Sequence, residues 1–261
     1  MPDAGGAGAR SACYVYGIVP GAATLAPGTS GVSGPGGPEP VFLVPQGDIA
    51  ALVSGADAGA GLAQPENLIA HKRLLDALAG QVPVLPLRFG TVLPDRDAVT
   101  GLLLGPGHDA FRTALARLDG CAQYLVKGRY AEETVLREVL AENPEAAALR
   151  ADIRSVPDAD ATFGLRIRLG QIVSAAITAK RLADTRALDD AVAPCCAARV
   201  ARGPSDAQDA VNLALLARTA RQADIERRVS RVARDWAGRV LLTLVGPMAP
   251  YDFAQAALAG G

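Results

Sequence analysis

The stretch HKRLLDALAGQVPVLPLRFGTVLPD, residues 71–95, decides how the first half of the chain is read. Its front half is helical. Pro65 suits a first turn, Gly80 suits a stop, and Leu68, His71, Leu75 and Leu78 recur at three- and four-residue spacing on one face. Its back half, PVLPLRFG, is an apolar run of strand character that Pro83 and Pro86 push toward an edge or a bulge. A helix followed at once by a strand needs a sheet to join, and the residues before it supply one. CYVYGIV (13–19) reads as a strand that stops at Pro20. VFLVP (41–45) and IAALVS (49–54) flank Gln46-Gly47-Asp48, a hairpin signature. Residues 20–40, rich in Gly, Pro, Ala and Ser, read as a flexible loop, and 55–61 as a second Gly/Ala-rich connection. The sum is strand, loop, hairpin, helix, strand: a ferredoxin-like order with its first helix eroded into a loop.

Working forward from Asp95, a helical segment over about 95–118 is interrupted by Gly105-Pro106-Gly107. CAQYLVKG (121–128) reads as a strand, and a long helical region covers about 130–190, broken at Pro144 and Pro157. Within it Leu165, Leu169, Ile172, Ala176, Ala179 and Ala183 keep the spacing of a coiled-coil-like seam. CCAARVA (195–201) and AVNLALLA (210–217) are strand candidates. A charged helix over about 220–236 carries Ile225, Val229, Val232 and Trp236, and GRVLLTLVGP (238–247) closes with a strand. The expected fold class is α+β with two domains. Residues 1–92 form an N-terminal α+β domain, 93–119 a helical connection, and 120–261 a C-terminal β-α-β-β-α-β, ferredoxin-like domain with long, coiled-coil-like helices.

Composition narrows the function. Half of the 261 residues are hydrophobic and only 4% aromatic, so the core is built mainly of Ala, Leu and Val. With 26 Lys and Arg against 27 Asp and Glu the net charge is −1, which lacks the basic footprint of nucleic-acid binding. The start, MPDAGGAGAR, shows no apolar run behind a basic region, and no apolar run reaches a membrane-spanning length. Cys13, Cys121, Cys195 and Cys196 form no C-x-x-C pair, and with two His a zinc site is not expected. A reduced, cytoplasmic protein is the expectation.

Four blocks together carry a resemblance. They are YVYGIV at the N-terminus, HKRLLDALAGQVPVLPLRFGTVLPD, YLVKG (124–128), and VNLALLA followed by a charged helix and VLLTLVGPMAPYDF (240–253). In this combination, spread from residue 14 to 253, the chain resembles the gas vesicle accessory proteins of the F/L family. The resemblance implies a non-enzymatic cytoplasmic protein, associated with gas vesicles as an assembly factor or minor structural component. It implies contacts with the small hydrophobic shell protein and with other accessory proteins. No cofactor and no metal are expected. The Gly/Pro-rich 20–40 segment and residues 129–160 depart from the family pattern.

Arg88 is the sharpest single residue, a permanent charge inside an apolar run. A half-buried guanidinium must find acceptors. Two readings follow: a clamp onto an internal carboxylate or proline-freed carbonyls, which is favoured, or a dock for a partner. Tyr251 and Phe253, at the end of GPMAPYDF, either cap the core or meet a hydrophobic partner. Arg88, Tyr251 and Phe253 are therefore the partner-binding candidates. His71 falls on the apolar face of its helix, with no nucleophile signature in the chain, and reads as a hydrogen-bonded packing residue. The competing function is a small α/β enzyme or anion-binding protein that uses Arg88 and His71. A third is a scaffold that self-associates through the helical seam. GTSGVSGPGG (28–37) precedes a strand and lacks a Gly-Lys-Ser/Thr ending, so it is not a phosphate loop.

Overall fold

Seven consecutive residues of the first strand, Cys13–Val19, are buried, so this strand has to lie in the middle of a sheet covered on both faces. The computed structural model describes residues 12–34, 37–56, 64–156, 158 and 160–259. The chain divides into two compact units, one of residues 1–123 with 246–261 and one of residues 124–245.

In the first unit the elements are β1 (Ala12–Pro20), β2 (Ser30–Gly34), β3 (Gly37–Gln46), β4 (Ile49–Ala56), α1 (Pro65–Ala79), β5 (Leu85–Pro86), β6 (Val92–Leu93), α2 (Arg96–Ala98), a π-helical turn over Val99–Leu104, and α3 (Gly105–Leu118). The sheet order is β2-β3-β4-β1-β5, with β6 also on β1. The pairs β1–β4, β1–β5 and β3–β4 are antiparallel. The hairpin expected at Gln46–Ile49 is present. Helix α1 lays His71, Leu74, Leu75 and Leu78 into the core. These side chains meet Tyr14, Tyr16 and Leu52 from the sheet and Val84 just before β5.

Two expectations are corrected here. The Gly/Pro-rich segment between residues 20 and 40 is not simply a loop: it contains β2 and the start of β3. The reason is a close approach that composition does not display. Val32 is buried and its N–H donates to Tyr16 Oη at 2.7 Å. A Cβ on Gly31 would stand 1.8 Å from that same oxygen, so only glycine lets the strand lie against the ring. The second correction concerns Gly105-Pro106-Gly107, which does not break the helix. The chain passes from the π-helical turn directly into α3, with Pro106 at the start of the α-helical stretch. The turn keeps Val99 and Leu104 buried and leaves Leu102 69% exposed.

In the second unit the sheet order is β10-β7-β9-β8, from β7 (Cys121–Tyr130), β8 (Ala198–Ala201), β9 (Asp209–Arg218) and β10 (Val240–Met248). The helices are α4 (Glu132–Glu142), α5 (Pro144–Ser155), α6 (Phe163–Val192) and α7 (Gln222–Asp235). Helix α7 buries Ile225, Val229 and Val232 from a strongly charged sequence. Helix α6 behaves differently from its sequence pattern. Its fully buried positions are Asp184, Leu188 and Val192. Of the expected seam, Leu165, Leu169, Ile172 and Ala176 are half-buried, and Ala179 and Ala183 are exposed.

Asp184 is a carboxylate in a core position, and its partners explain how it is tolerated. Arg239 grips it with both terminal nitrogens at 2.9 Å, Tyr130 Oη donates to it at 2.6 Å, and Arg239 Nε reaches Glu138 at 3.0 Å. Lys180 adds bonds to Glu138 and Glu142. The group joins α4, α6, β7 and the residue before β10. Burial pushes the Tyr130 phenol upward, and the hydrogen bond to Asp184 adds to it. Burial opposes the Arg239 charge, but its bonds to Asp184 and Glu138 carry its pKa above the usual arginine value.

The sequence placed 120–261 in one C-terminal domain. The structure groups 246–261, including α8 (Ala254–Ala259), with the first unit, and 93–119 belongs to that unit as well. The class is α+β with antiparallel sheets.

Two stability outcomes follow from these contacts. Arg239→Ala strands the Asp184 charge and is expected to cost about 3 kcal/mol in urea unfolding, with Arg239→Lys in between. A loss below about 1 kcal/mol would mean that the carboxylate relaxes to water. Gly31→Ala is expected to cost about 2 kcal/mol, because a methyl must displace the Tyr16 ring or β2. An unchanged unfolding midpoint would contradict the close approach.

Candidate functional site

Two phenols on β1 organise the buried polar groups of the first unit, with partners on β4 and α1. Alternation puts two phenols on neighbouring positions of one face, and buried phenols need partners. Tyr14 Oη lies 2.9 Å from His71 Nδ1 and accepts the Gly90 N–H at 3.1 Å. Tyr16 Oη accepts from Val32 N–H and lies 2.8 Å from Ser54 Oγ, which in turn donates to the Gly55 carbonyl. The His71 ring stacks on Tyr16 at 5.5 Å and meets the edges of Tyr14 and Phe89. Burial, reinforced by Lys72, lowers His71 to about 4. Burial raises Tyr14 to about 12. At neutral pH this is a closed, uncharged network around a histidine 2% exposed.

Arg88 stands elsewhere. Of the run PVLPLRFG only Leu85–Pro86 is strand, and the chain then turns. The Arg88 carbonyl accepts from Thr91 N and from Thr91 Oγ1. The turn is tied to β1 by Leu87 N to Tyr16 O and by Val15 N to Thr91 O. Arg88 itself is exposed, and among the described residues its guanidinium meets no carboxylate or carbonyl. The clamp expected of it is therefore not formed, because the residue lies in a turn rather than inside a half-buried strand. His71 is buried and Arg88 is at the surface, so the two do not converge on one cavity.

The tail residues are held within the first unit. Asp76 Oδ1 accepts from Ala249 N at 2.9 Å and from Tyr251 Oη at 3.2 Å, and Lys72 Nζ lies 5.4 Å from the Tyr251 ring centre. Gln123 and Asp252 bond each other twice, side chain to backbone N–H at 3.0 Å and side chain to side chain at 2.6 Å. Phe253 is 3% exposed, and Tyr251 is half-buried. Burial and then the Asp76 charge push the Tyr251 phenol upward. Sequence reading did not single out Asp76 or Gln123, because a lone polar residue in an amphipathic pattern carries no sign of which distant backbone it will satisfy. Among the described residues no group of three or more His, Cys, Asp or Glu is placed to hold a metal ion. None of their helices is long and apolar enough to cross a membrane.

Against known proteins, a family model described as "Gas vesicle synthesis protein GvpL/GvpF" matches residues 12–255. The chain is 31% identical to gas vesicle protein F of Streptomyces sp. (strain CB03234), across 93% of this chain and 99% of that one. It is 32% identical to gas vesicle protein L of the same strain, across 92% of each. Two crystal structures share the fold. GvpF from an Anabaena species superposes with a TM-score of 0.75 at 23% identity, covering 94% of this chain and 98% of that one. GvpF from Microcystis aeruginosa gives 0.72 at 24%, covering 94% and 99%.

The His71 network has a pH signature. The unfolded imidazole binds a proton below about 6.5, whereas the folded one stays neutral to about 4. Between these values the unfolded state holds more protons, so this contribution to stability is lost as pH falls through the window, by up to roughly 3 kcal/mol. The urea midpoint of wild type is expected to drop more steeply from pH 6.5 to 4.5 than that of His71→Gln. Parallel curves would show that the histidine charges freely in the fold.

Proposed function

The chain belongs to the GvpL/GvpF family of gas vesicle synthesis proteins, and on that premise we propose that it acts by binding, as a non-enzymatic accessory in gas vesicle assembly. Its main partner is the small hydrophobic shell protein, held in solution or positioned for growth, together with other accessory proteins. It works in the cytoplasm, in association with the vesicle. One observation supports binding over catalysis. The side chains with chemical potential in the first unit, His71, Tyr14, Tyr16 and Ser54, are bonded to one another inside the core, while large apolar side chains stand in solvent. Leu241 is 73%, Leu102 69% and Phe163 65% exposed. They lie on different elements of the two units, and each offers apolar area that a hydrophobic partner can cover.

Arg88 is the polar part of this reading. Its exposed guanidinium, on a turn anchored to the central strand, is suited to a carboxylate or to chain-end carbonyls of the partner. Tyr251 contributes its half-exposed ring beside Lys72. Phe253, almost fully buried, has next to no area of its own to offer a partner.

The test is co-expression with the shell protein and capture of the complex. Wild type is expected to retain the shell protein in the soluble fraction. Arg88→Ala is expected to fold, with a stability change within about 0.5 kcal/mol, and to retain less of it. Failure of wild type to capture or solubilise the shell protein would refute the binding role. Equal capture by folded Arg88→Ala would remove Arg88 from the interface.

A further inference from the structure

We propose that the groove between α4 and α6 receives an amphipathic helix of a partner protein, with apolar side chains in the groove and an acidic side chain against Arg137 and Arg150. The groove has a volume of about 420 Å³, within the usual range of ligand sites. Its apolar lining is Leu136 and Leu140 from α4 and Leu169 and Val173 from α6. Each pair is spaced i, i+4, so each helix offers one ridge. Two such ridges flank a furrow of the shape that the side-chain ridge of a third helix fills. All four side chains are only half-buried, so apolar area remains for a partner to cover.

Charge selects the partner. Arg137 and Arg150, both exposed, line the groove with a single opposing acid, Glu133. Arg137 is held by the Glu133 carbonyl and the Thr134 hydroxyl, not by a carboxylate. Arg150 has no ion-pair partner among the described residues. Two neighbouring cations of this helical layer are already taken by acids, Arg168 by Glu145 and Lys180 by Glu138 and Glu142. The rim therefore keeps two guanidinium groups open to an incoming carboxylate, the bidentate partner they suit best. A second copy of this chain fits poorly, because a two-fold pairing of identical patches sets arginine against arginine. The recognised segment is a helix with Leu, Ile or Val at three- and four-residue spacing and Glu or Asp beside that stripe. This deepens the binding role proposed above, and rests on it, by naming a surface and the chemistry of the segment it takes.

The experiment uses the full chain and two fluorescein-labelled synthetic helices. Both carry leucines at three- and four-residue spacing; one is flanked by glutamates and its twin by lysines. In fluorescence anisotropy, wild type is expected to bind the glutamate helix at least about tenfold more tightly than the lysine helix. Both arginines are exposed, so the double variant Arg137→Glu/Arg150→Glu keeps the fold, checked by circular dichroism, and is expected to reverse the preference. Leu140→Ser is expected to weaken binding without changing the preference. Equal binding of both helices by wild type, a preference untouched by the charge reversal, or no binding of either would overturn the assignment. Concentration-dependent dimerisation in sedimentation, abolished by Leu140→Ser, would give the groove to a second copy and equally overturn it. Capture of the shell protein is measured on the same variants. Capture by wild type and the double variant alike, with the helix preference absent, rejects the groove and leaves the binding role standing. Loss of capture already in wild type rejects the role itself.

Discussion

Two phenol oxygens on the central strand, those of Tyr14 and Tyr16, hold together most of the first unit. Between them they bond His71 on α1, Ser54 on β4, Val32 on β2 and Gly90 in the turn after β5. The constraint is simple. Strand β1 is buried along its length, so any polar atom it carries must be satisfied by protein. Strands β2 and β4, helix α1 and the turn after β5 dock on β1 partly by meeting that requirement. The close fit of Gly31 on the Tyr16 ring and the neutrality of His71 are consequences of the same demand.

The second unit solves the equivalent problem with charge. Asp184 enters the core of the unit, Arg239 and Tyr130 bond it, and Glu138 holds the remaining nitrogen of Arg239. A buried ion pair of this kind specifies a unique arrangement more than it adds stability, and here it fixes α4 and α6 against the end of β7. In both units a buried polar group is thus satisfied by the architecture. Exposed apolar side chains such as Leu102 and Leu241, and exposed arginines such as Arg88, Arg137 and Arg150, stand at the surface beside exposed carboxylates.

Much was legible in the chain itself. The helix over residues 65–79, the hairpin at Gln46–Ile49 and the amphipathic α7 follow from apolar spacing and turn residues, which act over a few positions and so are written locally. The motif blocks from YVYGIV to GPMAPYDF pointed to the family, and two of them coincide with demands of the fold. The phenols of YVY need hydrogen-bond partners, and the segment through Arg88 and Thr91 must cross back over β1. Other features were misread for one shared reason. The glycines of β2 look like loop residues unless the Tyr16 ring is known to lie beside them. Arg88 looks half-buried unless the chain is known to turn after Pro86. The seam on α6 looks like a packing stripe, whereas burial falls on the positions that follow it.

By itself, then, the sequence determined the α+β class, most elements of the two units, the family and the absence of any local catalytic motif. Only the tertiary structure decided which polar groups meet. It paired Asp184 with Arg239 across 55 positions and Tyr14 with His71 across 57, gave the tail to the first unit through Asp76 and Gln123, and left the α4–α6 groove lined with arginines. The physical reason is range. Propensity and periodicity act along the chain over one or two turns, whereas hydrogen bonds and ion pairs form between groups that only the finished fold brings within about 3 Å.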